Sequence, residues 1–134
     1  KGLEIPDDVL PLFISLLLDD DTKIQRLGLV GISHFKNPQT QAALKRYVKR
    51  IDPRKLEEKW GDDPDHEPEY SRRMMNAAWA VVLLGDVADE SAIPFLESLG
   101  GISDLKLERM GNVVAPAIQK IKERSDAALR EQPE

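Results

Sequence analysis

The residues of this 134-residue chain best placed to do chemistry are basic. Lys45 and Lys49 are spaced to share one helix face, and Arg46 and Arg50 share the face beside it. Arg54, Lys55 and Lys59 follow at once, and Trp60 closes the run. Clustered cations attract carboxylates and phosphates. A tryptophan beside them is of the type that anchors binding interfaces. Lys45, Lys49, Arg50, Lys59 and Trp60 are therefore the candidate partner-binding residues. The same spacing also describes a solvated helix face neutralised by the acidic stretch that follows. On that reading Trp60, four residues after Leu56, pins its helix to the rest of the fold.

Other chemistry finds less to work with. Asp63, Asp65 and Glu67 alternate as calcium ligands do, but a calcium loop of the EF-hand type needs glycine sixth and a carboxylate twelfth. Those places hold Pro68 and Met74, so a solvated acidic loop is expected. The two histidines, His34 and His66, fall short of the three protein ligands of a zinc site. No serine has nucleophile-elbow context, and Gly100-Gly101 lacks the flanking pattern of a phosphate loop. No catalytic residue, metal site or cofactor is expected.

The composition sets the class. Hydrophobic residues are 41% and charged residues 32%, a mix too apolar for a disordered chain. The formal net charge is −5, which disfavours generic nucleic-acid binding without a local basic patch. There is no cysteine, which fits a reducing cytosol or a periplasm; the cytoplasm is the default expectation. No apolar run approaches the ~20 residues of a membrane span, and no signal peptide is visible. The first residue is Lys1 rather than Met, as in an excised domain or a processed product.

The elements that position the basic run are helical and repeated. Val9 to Leu16 resembles Ala92 to Leu99, with Pro11 and Pro94 coinciding. Leu10 to Leu44 is a step of 34, whereas Leu44 to Ile93 is a step of 49. The step of 49 also pairs Gly28 with Ala77 and Gly31 with Ala80, and 34 more carries these to Gly111 and Val114. The period is thus 34 with one interval longer by 15 (49 − 34), and the excess falls near 52–68.

Ile24, Leu27, Gly28, Gly31, Ile32 and Phe35 form one buried stripe at helical spacing. Glycines in it cost up to ~1 kcal/mol each in an isolated helix, so another helix should approach closely there. Asp19-Asp20-Asp21-Thr22 supplies an N-cap, and Ser103-Asp104 does the same further on. The spacing predicts helices over 6–18, 22–36, 38–51, 69–85, 90–99 and 104–128. It also predicts a short inserted helix over 53–60, a loop over 61–68 and no strand. Helices 22–36 and 38–51 pair, as do 69–85 and 90–99. Trp79 shares a side with Met75, Ala78 and Val82 and reads as core or inter-repeat packing. Val9 to Leu18 is so apolar that something must cover its outer side: Leu3 to Ile5, a further repeat or a partner.

Leu17 to Gly28 resembles the inter-repeat turn and first helix of HEAT repeats. Leu84-Gly85-Asp86 through Leu96 resembles the HEAT-like repeats named after phycobilisome lyases. The resemblance covers most of 6–120 and fails over 52–68. It implies an all-α, right-handed solenoid of antiparallel hairpins, about three and a half of them. That solenoid would be one domain over 1–134, with about seven main helices plus the short inserted one. In such solenoids the second helices line the concave face. Tetratricopeptide repeats share the period but want an aromatic where Gly31 stands. The iron-binding members of the wider family use repeated His-Glu dipeptides, and His66-Glu67 is single.

The function expected is therefore a non-enzymatic protein-interaction or scaffold module working through its concave face. An acidic segment of a protein partner is the natural complement to the basic run. The alternatives are a HEAT-like enzyme or enzyme-associated subunit with a site in the groove, and nucleic-acid binding through Lys45 to Lys59. The oligomeric state stays open.

Overall fold

The computed structural model describes residues 7–60, 63–100 and 108–131. It is all-helical, with no strand among the described residues. After a 3-10 turn over Asp7–Val9 come α1 (Leu10–Leu16), α2 (Thr22–Ile32), α3 (Pro38–Ile51), α4 (Pro53–Trp60) and α5 (Glu67–Val87). A second 3-10 turn, Glu90–Ala92, leads into α6 (Ile93–Gly100), and α7 covers Glu108–Glu131. No described helix is long and apolar enough to cross a membrane. Six principal helices and the short α4 are present among the described residues. Among the described residues the expected seven plus one is thus reduced to six plus one.

The helix starts follow from local chemistry. The Asp21 side chain accepts from the Lys23 N–H at 2.8 Å, and the Asn37 side chain accepts from the Thr40 N–H at 2.9 Å. Each satisfies a donor that the first helical turn leaves free. Prolines 11, 38 and 68 lie at the first or second helical position, where a missing N–H costs least. Glu67 starts α5 two residues earlier than the spacing predicts. The expected cap at Ser103-Asp104 and the covering segment Leu3 to Ile5 lie outside the described residues.

One cluster of buried side chains joins all seven helices. Leu29, Ile32, Leu44, Val48, Val81, Leu84 and Leu96 are fully buried, each worth roughly 1.5–3 kcal/mol relative to exposure. The most extensive packing is between α5 and α7, followed by α3 with α5, α1 with α2 and α6 with α7, while α5 also touches α2 and α4. The expected pairing of α2 with α3 and of α5 with α6 is displaced by one helix.

The small residues explain the displacement. A Cβ on Gly28 would lie 2.8 Å from the Phe13 carbonyl oxygen, and one on Gly31 would lie 2.2 Å from the Phe13 ring. The glycine side of α2 thus admits α1 at close range. The side of α2 towards α3 carries the larger Gln25, which meets Tyr47. Those two helices are held further apart and touch through long side chains.

α1 leaves Leu12 and Leu18 exposed, and α2 leaves Leu27 and Val30 exposed. Gly85 meets α7 in the same way as Gly28 meets α1: an added Cβ would sit 2.7 Å from the Ala117 Cα. Alanine is ordinarily the better helix former by about 1 kcal/mol. At this position it must push α7 away, so Gly85→Ala should lower the unfolding free energy by about 1–3 kcal/mol in urea denaturation. A gain in stability would contradict the close α5–α7 approach.

Candidate functional site

A groove with a continuous apolar wall sits where the end of α3 and the start of α4 face α6. Its volume is about 420 Å³, within the range of roughly 300–1,000 Å³ that bound ligands fill. Val48, Pro53, Phe95 and Leu99 supply its apolar wall, and Lys49, Asp52, Arg54 and Ser98 its polar rim.

Three residues, Gln41, Lys49 and Arg54, tie α3 and α4 to α6 and the 3-10 turn before it. Towards the start of α3, Gln41 donates to the Ser91 hydroxyl at 3.2 Å and accepts from the Asp89 N–H at 3.1 Å. At the α4 end, the Arg54 guanidinium donates to the Ser98 carbonyl at 3.1 Å. Between them the Lys49 ammonium rests 5.6 Å from the Phe95 ring centroid, a cation–π distance.

Asp52 makes the bend that opens the groove. It is the one described residue other than glycine with positive φ, at φ 50 and ψ 79, a left-handed conformation that aspartate tolerates better than most. Its N–H closes α3 on the Val48 carbonyl, while its side chain accepts from the Lys55 N–H at 3.3 Å and caps α4.

The candidate residues are not one patch. Lys49 lines the groove. Lys45, half-buried one turn earlier, lies near Asp89 and helps the Ser91 hydroxyl and N–H and the Gln41 amide hold that carboxyl below its usual range. Arg50 turns the other way. It donates to the Leu17 carbonyl at 3.4 Å and sits 3.6 Å from Asp20 across an exposed ion pair, a contact worth little by itself.

Lys59 and Trp60 stand at the far end of α4, roughly 10 Å along the helix from Pro53. There the Trp60 ring stacks on His66 at 4.8 Å and 8°, with Lys59 at 4.9 Å and Arg73 at 5.7 Å from its centroid. The Tyr70 hydroxyl also donates to Glu57, and Trp60 is half-buried. It therefore ties α4 to the start of α5, as the packing alternative for this residue expects, and does not line the groove. Trp79 is half-buried against the core with Arg26 5.5 Å over its ring.

The other sequence candidates resolve locally. His66 Nδ1 lies 2.7 Å from Asp63, and the Asp65 N–H donates to the same carboxyl. The His66 side chain first, and the Asp65 N–H second, hold Asp63 below the usual carboxylate range. Its oxygens are engaged in a turn. Among the described residues no three His, Asp or Glu side chains converge as metal ligands would. His34 is exposed in the turn after α2.

Sequence reasoning missed Asp52, Phe95, Ser98 and Leu99 as groove residues. The Asp52-Pro53 step was the available signal for the bend. Nothing in the sequence shows that α6 returns beside Lys49.

The bend generates a prediction. Asp52→Ala keeps the left-handed strain and loses the cap, so it should cost about 1–2 kcal/mol in denaturant unfolding. Asp52→Gly relieves the strain and should stay within a few tenths of a kcal/mol of the original. Equal losses in both would contradict the double role. In comparisons with known proteins, the chain matches no family model, no curated protein and no solved structure.

Proposed function

We propose that this chain is a non-enzymatic protein-interaction module, a HEAT-like stack of helical hairpins that docks a partner in the groove between α3–α4 and α6. The single observation that carries the reading is the character of that groove. It is open, walled by apolar side chains and rimmed by Lys49 and Arg54, in the manner of a surface that receives another chain. The architecture supports it further. The 49-residue step from Leu44 to Ile93 makes α3 and α6 corresponding helices of successive repeats, in the layer that lines the inner face of HEAT-like stacks. The row of α2, α5 and α7 then forms the other layer.

The enzymatic alternative is weaker because the groups with displaced pKa values lie elsewhere. Tyr47, Asp63 and Asp89 are shifted by burial or by turn hydrogen bonds, and none lines the groove. The nucleic-acid alternative needs its cations to track a phosphate backbone. Here Arg50 turns towards the α1–α2 turn, Lys49 towards α6, and Lys59 onto Trp60.

A photo-crosslinking amino acid at Ser98, in the groove, should capture a discrete protein partner in cells. The same group at exposed Lys122 on α7 should not. Capture that is equal at both positions, or absent at both, would overturn the reading.

A further inference from the structure

We infer that the segment received by this groove pairs an acidic side chain with a neighbouring large apolar one. The acidic group would sit between Lys49 and Arg54, and the apolar side chain against Phe95 and Leu99. The inference rests on the docking role proposed above and names the chemistry of its partner.

The charge balance of the cations points to it. Several neighbouring cations on α3 to α5 are already answered within the chain. Arg50 has Asp20, Lys55 has Asp52 at 4.0 Å, and Arg73 has Glu69 at 2.9 Å. Lys49 and Arg54 differ. Among the described residues neither has a carboxylate within ion-pair distance, although the chain as a whole is acidic. Lys49 rests on an aromatic face, and one donor of Arg54 is fixed on the Ser98 carbonyl. A guanidinium carries five N–H donors in a rigid fork, so Arg54 is held in place with donors to spare. An incoming carboxylate would meet a positioned guanidinium and a nearby ammonium, the arrangement that gives short, charge-assisted hydrogen bonds.

The apolar half follows from the wall. Phe95 is half-buried, with Leu99, Val48 and Pro53 around it. When the carboxylate draws the Lys49 ammonium off the Phe95 ring, it uncovers an aromatic surface for an apolar side chain. The two halves of the ligand therefore assist each other. A purely acidic segment leaves the ring wet, and a purely apolar one leaves two cations desolvated without a partner, which is costly. Nucleic acid would supply the anion without the adjoining aliphatic group.

A random peptide library displayed on phage and selected on the intact chain tests the inference. The expected result is enrichment of sequences with Asp or Glu next to, or two residues from, Leu, Ile, Met or Phe. A synthetic peptide of that type should bind at least tenfold more weakly to K49E/R54E and to F95S. It should bind within twofold to K122E, and its affinity should fall as salt rises. Circular dichroism shows whether each variant is folded; if K49E/R54E is not, K49Q/R54Q replaces it with the same tenfold expectation.

Acidic–apolar peptides that bind equally to the charge-altered variant would overturn the inference. Enriched peptides without an acid, whose binding is lost in F95S, would refute the partner chemistry while leaving the docking role intact. No enriched peptide, together with no capture at Ser98, would refute the docking role itself.

Discussion

Everything in the arrangement of these helices turns on one buried hydrogen bond, the 2.7 Å contact from the Tyr47 hydroxyl to the Gln25 side-chain oxygen. Both residues are buried. A polar group left alone there would cost about 1–3 kcal/mol, so α2 and α3 have little freedom to slide past each other. The bond belongs to a larger knot. The Gln25 amide donates to the Asp19 carbonyl at 2.7 Å, which satisfies the turn from α1. Buried Asn76 on α5 donates to the Thr22 carbonyl at 3.1 Å in the first turn of α2. Three helices and one turn are thus fixed by side chains that are all on buried faces. Apolar packing alone tolerates shifts in register far more easily.

The groove inherits its geometry from that knot. Tyr47 lies one turn before Ile51 and two residues before Lys49, so the rotation of α3 that satisfies Gln25 also turns Lys49 towards α6. The opposite side of the same turn sends Arg50 towards Leu17 and Asp20. Asp52 then bends the chain so that Arg54 reaches Ser98. A run of like charges in sequence is thereby divided. Some of the cations stabilise the scaffold, and two are left facing an open, partly apolar wall.

Much of this was legible in the sequence, and the limits have physical causes. Helical spacing and caps located the helices, because those are local properties of the chain. The glycines at 28 and 31 announced a close approach, since only a neighbouring backbone or ring repays their loss of propensity. They could not say which neighbour, and it proved to be α1 through Phe13. Gln25 was hidden for a related reason. A glutamine in an amphipathic helix ordinarily marks the wet face, and its burial depends on Tyr47, 22 residues away. Trp60 was readable as either an anchor or a pin; the choice lay with His66 and Arg73, which only the turn after α4 brings to its ring.

Burial pushes the Tyr47 hydroxyl up to about 12, outweighing Asn76, Arg73 and Arg50, which favour the phenolate. Below its unfolded value near 10 the phenol is protonated in both states and its contribution is complete. As pH rises from there the unfolded chain releases the proton first, so stability is lost until the folded value is passed. Urea unfolding of the original chain and of Tyr47→Phe from pH 9 to pH 12 reads this directly. The original should lose on the order of 2–3 kcal/mol more than the variant across that window. Parallel loss in the two chains would contradict a buried Tyr47 at the centre of the fold.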